Sequence, residues 1–361
     1  MSRILAVRSA FPAYRYPQGE FTRVVAAIAD AAGVLRPGQR ALIRRLHANA
    51  EVTTRHSVLP ISDYTDGAEA AAALAGNPYI DEATALGERA LRAALASAGL
   101  QPAMLDLLIV TSVTGVAVPS LDARLIPRLG LRPDIKRLPV FGLGCVAGAA
   151  GLARLHDYLL AWPGHAAALL SVELCTLTWP TAAVTTADLV ASALFGDGAA
   201  AVVAVGPERQ HAPAVARLPQ VVATRSEVYP DSTDALGWRL DAGGFRIVLT
   251  ADLADVVERR LNGSVAAFLG EHGLTVDDIA SWICHPGGPK VLDAAQRALK
   301  LPDTALVASR RSLAEAGNMS SVSVLHILEL TAGSDPPAPG SFGLMIGLGP
   351  GVSAELLLLR W

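Results

Sequence analysis

Two stretches of the chain, "LDLLIVTSV" (105–113) and "HAAALLSVEL" (165–174), are apolar for longer than one buried face requires. A strand that covers a core on one side alternates polar and apolar residues. A strand apolar on both faces must be covered from both sides. That requirement constrains the fold more than any other feature of the sequence. "RILAVRSAFP" (3–12) reads as a further strand and "RLPVFGLG" (137–144) as another buried one. Between them, Asp81 to Gly99 carries Ala and Leu at helical spacing. The alternation predicts an α/β fold with a mostly parallel sheet covered by helices.

A similar order returns after about residue 215. A helical pattern from Leu253 to Gly273 leads into "IASWICHPGG" (279–288). Each half closes on a glycine-punctuated, hairpin-like segment: "LFGDGAAAVVAVG" (194–206) and "FGLMIGLGPGVSAELLLLRW" (342–361). The reading is a weak internal duplication, with an N-terminal half over 1–215 and a C-terminal half over 216–361. The stretch 211–236 is the expected connection.

Composition narrows the function classes. A net charge of −3 gives no electrostatic footprint for nucleic acid. The three cysteines, Cys145, Cys175 and Cys284, are too few for a disulfide framework, and no C-x-x-C pair suggests zinc. No structural zinc site is expected. Apolar runs are broken before membrane-spanning length, and the N-terminus has no cleavage signal. No membrane partner is expected, and the expected location is the cytoplasm. A free thiol in such a compartment is a candidate for chemistry.

Three stretches carry candidates. In "PVFGLGCVAGAAGLARLHDYLL", Cys145 sits where a strand turns into a helix, among Gly142, Gly144 and Gly148. A helix N-terminus favours thiolate over thiol, and the thiolate is the nucleophile. A small buried core cysteine is the competing reading. In "SWICHPGGPKVLDAAQRAL", the Pro286–Gly287–Gly288 turn stops a strand just after His285. The imidazole then projects at the carboxyl edge of the sheet, where α/β folds bind ligands. In "SLAEAGNMSSVSVLHILEL", Asn318 precedes a buried helical pattern. It serves either as an N-cap, a role open to Ser320 as well, or as a donor to an oxygen on which charge develops.

Thiol, imidazole and carboxamide in this order and spacing resemble the thiolase superfamily, specifically the type III polyketide synthases of the chalcone synthase-like family. "HPGGP", "GNMSS", "ALFGDGAA" and "GLGPGVSAELLLLR" are similar to the family's motifs, and the likeness runs over nearly the whole chain. It implies a thiolase-like five-layered αβαβα fold with two duplicated halves, a homodimer, and a catalytic set of Cys145, His285 and Asn318 at the end of a buried tunnel. Coenzyme A thioesters, acyl-CoA and malonyl-CoA, are the implied substrates, with no cofactor or metal.

By the same resemblance, Phe195 and Ile247 fall on gatekeeper positions, with Phe245 close by. Val113, Thr114, Cys175, Thr178 and Ser320 match cavity-lining positions. Val118 stands where the family has a methionine that crosses the dimer. The family's N-terminal CoA-binding lysine falls on Asn49, so Arg44, Arg45 or Arg55 is expected to supply the charge, with Gly287 beside the CoA. Leu348 replaces the aromatic of the family's glycine-rich loop.

The implied chemistry is acylation of Cys145, decarboxylation of malonyl-CoA, Claisen condensation and cyclisation. Aliphatic Ile247 and Leu348 suggest a fatty acyl-CoA starter and an alkylpyrone or alkylresorcinol-type product. Two alternatives stand beside it. One is an initiating β-ketoacyl-acyl-carrier-protein synthase, and the other is an inactive acyl-CoA-binding dimeric scaffold.

Overall fold

A computed structural model describes the chain except residues 32, 34–37, 65–77, 180–184, 211–217, 242–243, 251 and 335. The strands are β1 (Ser2–Ala10), β2 (Tyr14–Pro17), β3 (Thr54–Ser57), β4 (Leu107–Thr111), β5 (Lys136–Val140), β6 (Ala166–Leu174) and β7 (Asp197–Val205). After them come β8 (Gln220–Val228), β9 (Leu236–Asp241), β10 (Gly244–Leu249), β11 (Ile279–Cys284), β12 (Phe342–Gly349) and β13 (Ser353–Arg360).

Nine strands join in the order β11-β12-β13-β8-β1-β7-β6-β4-β5. The two halves meet at a narrow seam, where Ser2 and Arg3 of β1 pair with Val221 and Gln220 of β8. On one side lies a five-strand half, on the other a four-strand half. Helices Ala147–Ala161 and Ser321–Ser334 fill the space between the two half-sheets, and their apolar side chains share one core with strands from both. Helix Tyr79–Ala98 covers the outer face of the first half, and Leu253–Gly270 with Pro289–Leu299 the outer face of the second. This is the expected five-layered αβαβα arrangement.

The central helices explain a glycine the sequence had singled out. A β-carbon on Gly148 would lie 2.0 Å from the Ser321 carbonyl oxygen, so only glycine lets the two helices cross this closely. All nine residues of β6 and of β7 are buried, as strands covered on both faces must be.

Four expectations are corrected. The sheet is mixed: β4 pairs in parallel with β5 and β6, and β11 with β12, while the other pairings in the nine-stranded sheet are antiparallel. β5 was read as buried from its apolar letters, but it is the sheet's edge strand, and four of its five residues are exposed. The segment 194–206 is no hairpin but a helix end running into the single strand β7. The stretch 211–236 is not merely a connection. It contains β8, and Tyr229 is buried against Ser264; residues 211–217 lie outside the described residues.

Candidate active site

Each candidate residue is placed by a local device. Gly142 and Gly144, with φ of 93° and 55°, bend the chain out of β5 into a short 3-10 turn, Gly144–Val146, which feeds the central helix. Cys145 sits in that turn, just ahead of the helix proper. The β12–β13 hairpin packs on the turn so tightly that β-carbons on Gly347 and Gly349 would reach 2.6 Å from Ala149 and Val146. Gly144 likewise faces Pro350, so the glycine-rich loop of the second half clamps the turn that carries Cys145 in the first.

His285 continues β11 by one residue, its N–H donating to the Ile346 carbonyl at 2.8 Å. Pro286 and the glycines then end the strand, and Pro289 opens the next helix from its first position. The imidazole is 1% exposed, and among the described residues neither ring nitrogen has a hydrogen-bond partner. Two unpartnered ring nitrogens in a dry site are costly.

Asn318 is also 1% exposed. It pairs with Phe195 as an isolated parallel bridge: its N–H donates to Leu194 at 2.8 Å, and its carbonyl accepts from Gly196 at 3.0 Å. Its Oδ1 accepts from the Ser320 N–H at 2.8 Å, in the loop ahead of the helix. The carboxamide therefore leaves the first turn of the helix uncapped, and its Nδ2 donors have no acceptor among the described residues. The N-cap reading is not what this geometry shows.

Electrostatics revise one expectation. Burial pushes the Cys145 thiol up to about 12, the Ser320 side chain pulls the other way, and the buried Glu173 adds to the rise. Cys145 keeps some accessible surface of its own, but its surroundings exclude bulk water. Burial pulls His285 down to about 3. Both directions favour a neutral thiol and a neutral imidazole over a preformed thiolate and imidazolium. A helix dipole is worth about 0.3–1 kcal/mol, up to ~2, and desolvation of a fully buried ion exceeds that.

A small cavity of about 20 Å³ opens beside Cys145, lined by Val113, Thr114, Cys175, Phe195, Ile247 and Ser320, together with Trp238. A second void of similar size lies beyond Phe195, Trp238 and Ile247, with Thr178, Trp179 and Asp188 on its far wall. The structure thus brings together all the expected lining residues except Leu348. Leu348 is 4% exposed and packs in the apolar core of the second half, because β12 turns it away from the cavity. The Phe245 side chain lies outside the described residues.

A wider cavity of about 500 Å³ runs between the helices of residues 39–48, 186–194 and 289–299. Arg45, Asn49, Gly287 and Lys290 lie on its wall. Of the three expected arginines only Arg45 is there. Arg44 is exposed on the same helix but points elsewhere, since neighbouring helical positions diverge by about 100°. Arg55 is corrected outright: it is fully buried at 0% exposure and donates to the Ser192 and Phe195 carbonyls.

Sequence reasoning missed Trp238, Glu173 and Lys290. Trp238 pairs across the β9–β10 hairpin with Ile247, a partnership no local pattern announces. Glu173 is wholly buried, accepting hydrogen bonds from Val113 N–H, Thr114 and Ser321. A glutamate inside the apolar run 165–174 was the available signal.

Comparison with known proteins identifies the family. Residues 2–208 match the family described as chalcone and stilbene synthases, N-terminal domain, and residues 220–361 its C-terminal domain. A 1,3,6,8-tetrahydroxynaphthalene synthase of Streptomyces peucetius subsp. caesius is 53% identical over 99% of this chain and 93% of its own length. A putative chalcone synthase of Bacillus subtilis (strain 168) is 32% identical over 100% of this chain and 99% of its own. Among solved structures, the 1,3,6,8-tetrahydroxynaphthalene synthase of Streptomyces coelicolor A3(2), described as a bacterial type III polyketide synthase, superposes with a TM-score of 0.87. It is 29% identical and covers 99% of each chain. PKS-I of the brown alga Ectocarpus siliculosus superposes at 0.88 with 26% identity, over 99% of this chain and 98% of its own. The thiolase-like layering, the order of the motifs and these relatives lead to one conclusion: the chain belongs to the chalcone and stilbene synthase family and is a type III polyketide synthase, an acyltransferase.

Proposed function

We propose that the enzyme builds a short polyketide from malonyl-CoA alone, priming included, and cyclises it to an aromatic product of the tetrahydroxynaphthalene type. The observation that carries this reading is the 53% identity, over 99% of the chain, to a relative named for 1,3,6,8-tetrahydroxynaphthalene synthesis. Leu348, half of the aliphatic argument for a long alkyl starter, faces the core. Relatives named for 1,3,6,8-tetrahydroxynaphthalene support it. That skeleton carries oxygen at alternate positions, the pattern that decarboxylative two-carbon extension leaves.

In this reading Cys145 attacks the thioester carbonyl while its proton passes to His285, so the thiolate forms as it reacts. CoA thiol departs with a proton. A second malonyl-CoA then loses carbon dioxide, and the enolate oxygen is held by His285 and the Asn318 amide. The enolate carbon attacks the acyl-cysteine, and the thiolate is released. The thioester and the malonyl carboxylate supply the driving force, so the reading calls for no cofactor or metal.

The CoA moiety lies in the wide cavity, with Arg45 and Lys290 toward its phosphates. Exposed Val118 (88%), Val116, Leu138, Phe141 and Leu143 form apolar surface on and near the β5 edge, which favours a homodimer. Among the described residues no helix is long and apolar enough to cross a membrane. A cytoplasmic enzyme acting on dissolved CoA esters fits the reading.

The test supplies malonyl-CoA alone, malonyl-CoA with long-chain acyl-CoA, and malonyl-carrier protein, and identifies products by mass spectrometry. An aromatic product and carbon dioxide from malonyl-CoA alone are expected. Product formation only with a long-chain starter would restore the alkylpyrone reading. Product only from the carrier protein would favour the initiating ketosynthase, and no carbon dioxide at all the inactive scaffold.

A further inference from the structure

Arg55, in β3, is buried without a CoA phosphate to meet, and its surroundings assign it another task. Its Nη1 donates to two carbonyls, Ser192 at 2.7 Å and Phe195 at 2.6 Å, in the last turn of helix Thr186–Leu194 and just past its end. A cation there satisfies end carbonyls and opposes the helix dipole. The guanidinium carbon lies 4.0 Å from the centre of the Phe21 ring. Yet Nε and Nη2 have no hydrogen-bond partner among the described residues.

Stability alone is a poor reason for such a residue. A buried cation with donors unmet is expensive even with the buried Asp197 carboxylate near enough to favour its charge, and well-packed apolar side chains often replace buried charges at no loss. What the arrangement supplies is position. Phe195 and Asn318 are bridged, with Gly196 and Gly317 flanking them. Behind this junction runs the Arg55 stem: a β-carbon on Gly196 would lie 3.5 Å from its Cβ, and one on Gly317 2.9 Å from its Cδ. One side chain therefore pins the carbonyl of the gate residue and backs the strand that presents the carboxamide.

We propose that Arg55 is a positioning residue, holding Phe195 and Asn318 in register across their bridge so that the Asn318 amide meets the malonyl enolate. The proposal rests on the reading of Asn318 as an enolate donor.

The experiment measures two events on the same folded samples of wild type, Arg55→Lys and Phe21→Leu. One is carbon dioxide release from malonyl-CoA; the other is Cys145 alkylation by iodoacetamide, which does not use Asn318. Lysine keeps the charge and much of the stem but lacks the planar fork. In Arg55→Lys, kcat for carbon dioxide release should fall about 10-fold or more with KM within about 3-fold, the mark of a transition-state contact. Alkylation should stay within about 2-fold of wild type. Loss of both in parallel, or of neither, overturns the proposal. Should Arg55→Lys not remain soluble, Phe21→Leu, which removes the ring under the guanidinium, should show the same split at about 3-fold. Equal effects there, or none, overturn it as well. A wild-type protein that is alkylated at Cys145 but releases no carbon dioxide would remove the functional reading, and the Arg55 proposal with it, whereas normal wild-type release with no split in the variants overturns the Arg55 proposal alone.

Discussion

The wide cavity and the chamber beside Cys145 differ in almost every physical respect. The first holds about 500 Å³ and has Arg45 and Lys290 on its wall. The second holds about 20 Å³, and its lining residues carry no charged side chain among those described. A carrier with phosphates needs room, water and cations. An enolate needs a dry pocket where a few N–H donors are strong because nothing competes with them. On the proposed reading the two tasks are separate in space, so substitutions on each side should separate in kinetics.

The largest effects belong to the dry side. Cys145→Ala should abolish acyl-enzyme formation, seen as loss of the added acyl mass on the Cys145 peptide. His285→Ala should impair both loading and decarboxylation, since the imidazole serves both. Asn318→Ala should keep loading while carbon dioxide release falls by about 10²–10³, the usual cost of one donor of this kind. Normal decarboxylation in folded Asn318→Ala protein would take Asn318 out of the site.

Next comes the wall between the voids. Trp238→Gly should join them, and the enzyme should then accept longer starters or release longer chains, read by product mass. An unchanged product spectrum from a folded variant would show that Trp238 does not limit the chamber. On the wide side, Lys290→Glu with Arg45→Glu should raise KM for malonyl-CoA about 10-fold while kcat holds. The rise should shrink as salt increases. A kcat effect of equal size would blur the separation.

The smallest effects are the titrations. Because burial raises Cys145 and lowers His285, alkylation of Cys145 in the free enzyme should have its midpoint above the free-cysteine value of about 8.5. A midpoint below 7 would restore a preformed ion pair. Burial likewise raises the Glu173 carboxyl to about 7. A raised acid contributes stability that is complete below its unfolded value and fades as pH rises through the folded one. Melting temperature should therefore decline between about pH 4.5 and 7, and Glu173→Gln should flatten that decline.

The candidate set was legible because each member is marked locally. Glycines precede Cys145, Pro286 follows His285, and Gly317 introduces Asn318. The layering was legible because β6 and β7 are apolar throughout. Strand direction was not, since the same letters serve a parallel or an antiparallel neighbour. The exposure of β5 was hidden too, because an apolar edge strand looks like a buried one until its neighbours are known. Arg55 and Trp238 were beyond reach for a common reason: their roles depend on residues far away in sequence. Arg55 meets Ser192 and Phe195, and Trp238 stands between walls supplied by distant segments.

The crossing at Gly148 and Ser321 has a consequence for how the enzyme comes into being. As the chain leaves the ribosome, the helix behind Cys145 is made long before the helix it must lie against. Until the region around residue 321 has emerged, the apolar face that Gly148 presents has no partner, and the loop that clamps Gly144 does not yet exist. Contacts of such separation form late and slowly. The nascent first half therefore travels with an uncovered apolar face, the kind of surface that chaperones shield. Until then Cys145 has neither the loop that packs on its turn nor His285 and Asn318 of the candidate site.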